Sequence, residues 1–141
     1  MTFEKEENFQ SHTVDQVMTH LVVSAGEDNP VSELYEQLQA GGYSGIPIVD
    51  GDNRVVGMVT QLDLLRESRK GTDFSKTPAR DIMTRQVVAV ERSHSFVSLV
   101  RVFLEHGYNR VPVTEYGRLV GIVSRHDVLS HLVQHKPELF Y

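Results

Sequence analysis

The strongest constraint on this chain is that it contains a second copy of itself. Gly57-Met58-Val59-Thr60-Gln61-Leu62-Asp63 returns 64 positions later as Gly121-Ile122-Val123-Ser124-Arg125-His126-Asp127. Each stretch reads glycine, two apolar residues, a hydroxyl, two variable residues and an aspartate, then apolar residues at helical spacing. Val17-Met18-Thr19 likewise matches Ile82-Met83-Thr84, and Gly42-Tyr43-Ser44-Gly45-Ile46-Pro47-Ile48 matches Gly107-Tyr108-Asn109-Arg110-Val111-Pro112-Val113, both 65 apart. The step from 65 to 64 falls at a turn, where a duplication tolerates the loss of one residue. Any fold must therefore be built twice from the same pattern.

Each copy predicts the order β-α-β-β-α. In the first, Val14, Val17 and Met18 open a short helix, and Leu21-Val22-Val23 is a brief β-branched strand. A helix over about 31–39 carries Val31, Leu34, Tyr35 and Leu38 at helical spacing. Ile46-Val49 and Arg54-Val59 form a hairpin around Asp50-Gly51-Asp52-Asn53. Thr60 then opens a helix through Leu62, Leu64 and Leu65. The second copy predicts a helix up to Met83 and strands at Val87-Val90, Val111-Val113 and Arg118-Val123. Its helices run from Ser95 to His106 and from Arg125 to about His135. The boundaries expected are an extension over 1–12, repeat one over 13–66, a linker over 67–76, repeat two over 77–135 and a tail over 136–141. A copy of about 60 residues buries a marginal core alone. The fold class expected is α/β (α+β), two pseudo-symmetric β-α-β-β-α repeats packed through their sheets as one module.

Charge narrows the partners. The formal net charge of −5 opposes sequence-independent nucleic-acid binding, which needs a basic face to displace counterions. No run approaches the roughly 18 apolar residues of a membrane span. The opening Met1-Thr2-Phe3-Glu4-Lys5-Glu6-Glu7 is acidic where a secretory signal is basic and then apolar. With no cysteine there is neither a disulfide framework nor thiolate chemistry. A cytoplasmic location is the expectation.

Thr60-x-x-Asp63 and Ser124-x-x-Asp127 admit two readings. As capping boxes, hydroxyl and carboxylate satisfy unpaired amides in the first helical turn. As a binding site, the same helix start attracts anions through its amides and dipole, and an aspartate there grips ribose hydroxyls as acids do in other nucleotide folds. Asp where a capping box favours Glu or Gln, in both copies, leans toward ribose.

These residues carry a resemblance. The Met18-Thr19 and Met83-Thr84 steps, Gly45-Ile46-Pro47 and Arg110-Val111-Pro112, and the two Gly-x-x-hydroxyl-x-x-Asp stretches together resemble a tandem pair of CBS domains, a Bateman module. It spans about Thr13 to Val133. The resemblance implies adenosine-nucleotide binding in clefts between the copies. It places ribose on Asp63 with Thr60 and on Asp127 with Ser124. The base goes to apolar and backbone atoms around Thr19 to Val22 and Thr84 to Val87. Phosphates fall to the segment two to three residues before the proline, Ser44-Gly45 in copy one and Asn109-Arg110 in copy two, and Ile46 and Val111 next to that proline count among the ligand-binding residues. Asn109-Arg110 suits phosphate, whereas Ser44-Gly45 brings no charge, so the two sites are not expected to be equivalent.

Other residues are open to function. Tyr43 and Tyr108 hold matched positions and are either core aromatics or base-stacking groups. His131 and His135, four apart, share a metal with His126 if anything does; with no cysteine and Asp127 claimed by the motif, no metal is assigned. Nothing pairs a nucleophile with its base, and no catalytic residues are expected. The reading is thus a regulatory, energy-sensing module that binds AMP, ADP or ATP, requires no catalytic cofactor, forms a homodimer through its apolar helices, and passes occupancy to a separate effector protein. Its rivals are a ligand-independent dimerisation or interaction module with degenerate sites, and a metal-dependent hydrolase using clustered histidines.

Overall fold

The computed structural model describes residues 9, 11–20, 23–41 and 43–141. The expectations for Phe3, the acidic run at 4–7, Leu21, Val22 and Gly42 lie outside these residues. The chain forms two compact units. The central unit comprises residues 23–88 and 117–119, and the terminal unit comprises the described residues up to 20 together with 89–116 and 120–141.

In the central unit β1 (Ala25–Gly26) runs parallel to β2 (Gly45–Val49), which pairs antiparallel with β3 (Val55–Thr60). Gly45 to Ile48 are buried without alternation, because β2 is the middle strand of the sheet. Helix α1 (Val31–Gly41) lays Val31, Leu34 and Leu38 into the core at helical spacing. Helix α2 (Gln61–Arg69) adds Leu64. This helix continues three residues into the expected linker, ending at Lys70, whose amide bonds back to Glu67 and Ser68.

The terminal unit repeats the plan. Its sheet has the order β4 (Val90–Glu91), β5 (Arg110–Glu115), β6 (Arg118–Ser124), with β4 parallel to β5. Helices α3 (Phe96–His106) and α4 (Arg125–His135) contribute Phe96, Leu99, Phe103, Val128 and Leu132 to its core. Two expectations need correction. The strand at Val87-Val90 shrinks to Val90–Glu91, because pairing with β5 begins only at Val90↔Val113. The short helices opening each copy are single 3-10 turns, Val14–Gln16 and Ala79–Asp81.

The hairpins account for the change in offset. Tyr116 and Gly117 take φ of 53° and 82°, a two-residue turn of the kind that suits twisted strands. The first copy's turn is longer: Asp50 accepts from the amides of Asp52 at 2.9 Å and Arg54 at 3.0 Å, and the register shifts between Ile48 and Val49.

The opening turn of each copy packs in the unit built by the other copy's sheet. Val14 and Met18 are buried with Val123 and Val128, and Ala79 and Met83 with Ile46 and Val59. The Met-Thr steps then bond to the neighbouring strand. Thr19 and Ile122 exchange both backbone bonds, at 2.8 and 3.0 Å, and Met58 and Thr84 do so at 2.9 Å each. This crossing explains the motif glycines. A Cβ on Gly57 would stand 2.5 Å from the Met83 sulfur, and one on Gly121 would stand 2.7 Å from the Met18 sulfur and 2.8 Å from the Thr19 carbonyl. Only glycine lets the two backbones approach so closely.

Candidate functional site

Each unit has one strand end where three segments meet. In the central unit, Thr60 ends β3 and caps α2. Its amide donates to Asp63 Oδ2 at 2.8 Å, while the Asp63 amide donates to Thr60 Oγ1 at 3.2 Å. Ser44 is drawn beside the cap by its carbonyl, which accepts from the Gln61 amide at 3.0 Å. Thr84 arrives from copy two and donates its hydroxyl to Asp63 Oδ1 at 3.4 Å. Asp63 is 7% exposed, with the Arg66 guanidinium 3.8 Å from Oδ1.

The terminal unit builds the same constellation. The Ser124 amide donates to Asp127 Oδ2 at 2.8 Å, and the Asp127 amide donates to Ser124 Oγ at 3.1 Å. The Asn109 carbonyl accepts from the Arg125 amide at 3.1 Å. Thr19 pairs with Ile122, two residues before the cap. Both capping boxes are therefore closed. Each uses Oδ2 and leaves Oδ1 outside the box, and a carboxylate has about four lone-pair sites.

The structure thus assembles Ser44, Thr60, Asp63 and Thr84 at one end, and Thr19, Asn109, Ser124 and Asp127 with Arg110 at the other. Ile46 and Val111 are fully buried, backbone included, so neither presents surface to a ligand and the expectation that they bind one is corrected. Val87 is half-buried in irregular backbone ahead of β4, and Val22 lies outside the described residues. Gly45 differs from Arg110 for a packing reason: a Cβ there would stand 3.1 Å from the Met58 methyl and 3.2 Å from the Thr60 methyl. Tyr43 packs against the central core, and Tyr108 stacks on His106 with centroids 5.3 Å apart.

The histidines group differently from the sequence expectation. Exposed His126 meets Ser130 Oγ at 3.5 Å. His131 and His135 instead join His12, whose Nδ1 lies 2.7 Å from His131 Nε2. Burial, reinforced by His135 and then His12, pushes the His131 imidazole down to about 4, and burial lowers His12 as well, so both are neutral at pH 7. His12 carried no signal in the sequence, because its partner is 119 residues away.

Comparison with known proteins agrees with this architecture. The CBS domain family model matches residues 14–70 and 79–134. Hypoxic response protein 1 of Mycobacterium tuberculosis is 28% identical over 87% of this chain and 87% of its own length. Its crystal structure, described with two coordinated zinc ions, superposes with a TM-score of 0.78 over 85% of this chain and 98% of that chain. The crystal structure of CBSX2 in complex with AMP is 27% identical, with a TM-score of 0.77 over 89% of this chain and 98% of that one. The CBS domain pair of MJ0100, in complex with 5'-methylthioadenosine and S-adenosyl-L-methionine, is 25% identical, with a TM-score of 0.74 over 88% and 97%. The chain spans 42% of the length of an uncharacterized Methanocaldococcus jannaschii relative that is 27% identical over 84% of this chain.

Proposed function

This chain belongs to the CBS domain family, with two such domains in tandem, and from that membership we propose that it is a sensor of adenine nucleotides. Tandem pairs of this family are regulatory modules, and relatives in the same fold hold AMP, 5'-methylthioadenosine and S-adenosyl-L-methionine. One observation carries the reading here: a hydroxyl, an aspartate, a pre-proline segment and the Met-Thr step of the other copy converge twice. Ribose hydroxyls bind Asp63 with Thr60 and Asp127 with Ser124, through the carboxylate oxygen that the capping box leaves over. The base lies along Thr19 or Thr84 and the residues after them. Phosphate is met at Asn109 and Arg110, so the terminal site favours phosphorylated ligands. Occupancy is passed to a separate protein, because a ligand acts on a partner only by binding two states of the module differently. We place this activity in the cytoplasm and assign the chain no catalysis of its own.

The module works as a homodimer. In the terminal unit, Leu104 on α3 and Leu129 on α4 are 80% and 50% exposed beside a groove floored by Val100, Phe103 and Leu132. In the central unit, Tyr35, Leu62 and Leu65 are at least half-exposed. These faces are too apolar to be left in water and suit a second copy. No helix among the described residues is long and apolar enough to cross a membrane.

Thermal melts test the proposal. At a nucleotide concentration one hundred times its dissociation constant, AMP, ADP or ATP stabilises the fold by about 2.7 kcal/mol. Melts in millimolar AMP, ADP, ATP and S-adenosylmethionine that all overlay the ligand-free curve would defeat it. That outcome would favour the rival interaction module, which the two closed capping boxes also support.

A further inference from the structure

We propose that His12, His131 and His135 form a binding site for one divalent transition-metal ion of the zinc class. The potential ligand atoms of the three rings all lie within 4.8 Å of one another. Two nitrogens on a tetrahedral zinc stand about 3.3 Å apart, given bonds of about 2.0–2.1 Å. The His12–His131 separation of 2.7 Å and the 4.8 Å limit bracket that value, so small ring rotations suffice to close the site. His131 and His135 sit one turn apart on α4 and present both imidazoles to the same side. His12 completes the set from the segment that precedes Thr13.

The surroundings hold the rings in place. Phe9 is fully buried and stacks on Phe96 at 5.2 Å. Phe96 in turn lies 4.8 Å from the His131 ring, and Phe9 lies 5.8 Å from the His12 ring. The His12 carbonyl accepts from the Phe96 amide at 2.8 Å, which fixes the backbone on which that ligand stands. Metal binding needs the imidazoles in their neutral form, and Phe9 and Phe96 give the cluster a partly apolar wall. Three nitrogens with no carboxylate suit zinc, cobalt, nickel or copper and exclude magnesium and calcium, which take oxygen. The fourth position is open to water or to one small ligand.

The ion would act as a clasp. It joins the N-terminal segment to the last helix, closing 119 residues of chain. The same segment carries Met18 and Thr19, whose backbone pairs with Ile122 beside the Ser124 cap.

The test uses tag-free protein stripped with a chelator. Titration with Zn2+ should show one equivalent bound more tightly than about 10 μM. Co2+ should give the intense visible bands of a tetrahedral site, bleached by Zn2+ and untouched by Mg2+. His12→Gln and His135→Gln should each weaken Zn2+ by well over tenfold, since even outer-shell partners contribute ~10–100-fold, while His126→Gln keeps full affinity. Zn2+ should also slow hydrogen exchange at the Thr19 amide. Weaker or multiple binding in the wild type, a pale octahedral cobalt spectrum, or equal affinity in the two Gln variants would overturn the proposal. Should a variant fail to fold, the wild-type cobalt spectrum still decides.

Discussion

Thr84 donates its hydroxyl to Asp63 across 3.4 Å, joining the Met-Thr step of the second repeat to the aspartate of the first. The motif aspartate therefore does two things: it closes the cap of its own helix and touches a segment delivered from the other copy. On the reading proposed above, a nucleotide held on Asp63 or Asp127 would meet residues of both repeats within a single unit.

The crossing makes the motif glycines sensitive. Gly121→Ala would press a methyl against the Thr19 carbonyl at 2.8 Å, where backbone has to move. Gly57→Ala chiefly meets the flexible Met83 side chain, with the Thr84 carbonyl at 3.1 Å. Both should destabilise by ~1–3 kcal/mol, the scale of overpacking, with Gly121→Ala the worse. Urea melts of the two variants check the order.

The caps have a cost independent of ligand. Thr60→Ala and Ser124→Ala each remove an oxygen that accepts a first-turn amide, and should each lower stability by ~0.5–2 kcal/mol in nucleotide-free protein. Chemical denaturation without ligand measures this. Values near zero at both sites would mean that the boxes contribute nothing to folding.

Ligand selectivity separates the arginine from the aspartate. Arg110→Ala should weaken AMP by ~1.5–3 kcal/mol, the scale of a charged hydrogen bond, while leaving adenosine almost unchanged. Asp127→Ala should weaken both, because ribose is common to them. Calorimetry with AMP and adenosine decides between these; equal losses for the two ligands in Arg110→Ala would make that arginine structural.

The apolar helices predict an oligomeric state. A double variant, Leu104→Glu with Leu129→Glu, places charge on side chains 80% and 50% exposed, and should convert a dimer to the 16.0 kDa monomer without loss of helix. Sedimentation at tens of micromolar, with circular dichroism alongside, reads both outcomes. A wild-type chain that sediments as a monomer would remove the dimer from the functional scheme.

Much of this was legible in the sequence because duplication doubles the signal. Thr60-Asp63 and Ser124-Asp127 announce themselves as helix starts, and α4 runs over the expected residues, Arg125–His135. The exchange of the opening turns was not legible. A repeat shows that Met18 corresponds to Met83, but not which sheet either one packs against, since both sheets offer the same glycine and the same apolar strand. The strand expected at Val87-Val90 failed for a related reason: β-branched residues favour extended backbone, yet a strand forms only where a partner strand stands alongside. His12 was invisible because nothing local marks a residue that meets its partner 119 positions away.

The exchanged segments also set an order of events as the chain is made. The central unit draws its buried core from residues 25–83 and can close once Thr84 has left the ribosome. The first repeat's opening turn is synthesised before any of that, yet Met18 packs with Val123, Val128 and Leu132, and Thr19 pairs with Ile122. Until those residues emerge, the opening turn of repeat one has no core to enter, and a nascent chain halted at residue 120 holds one finished unit while Met18 and Thr19 still lack their partners. The opening turn of repeat one, made before the rest of the pair, is thus among the last parts of it to fold.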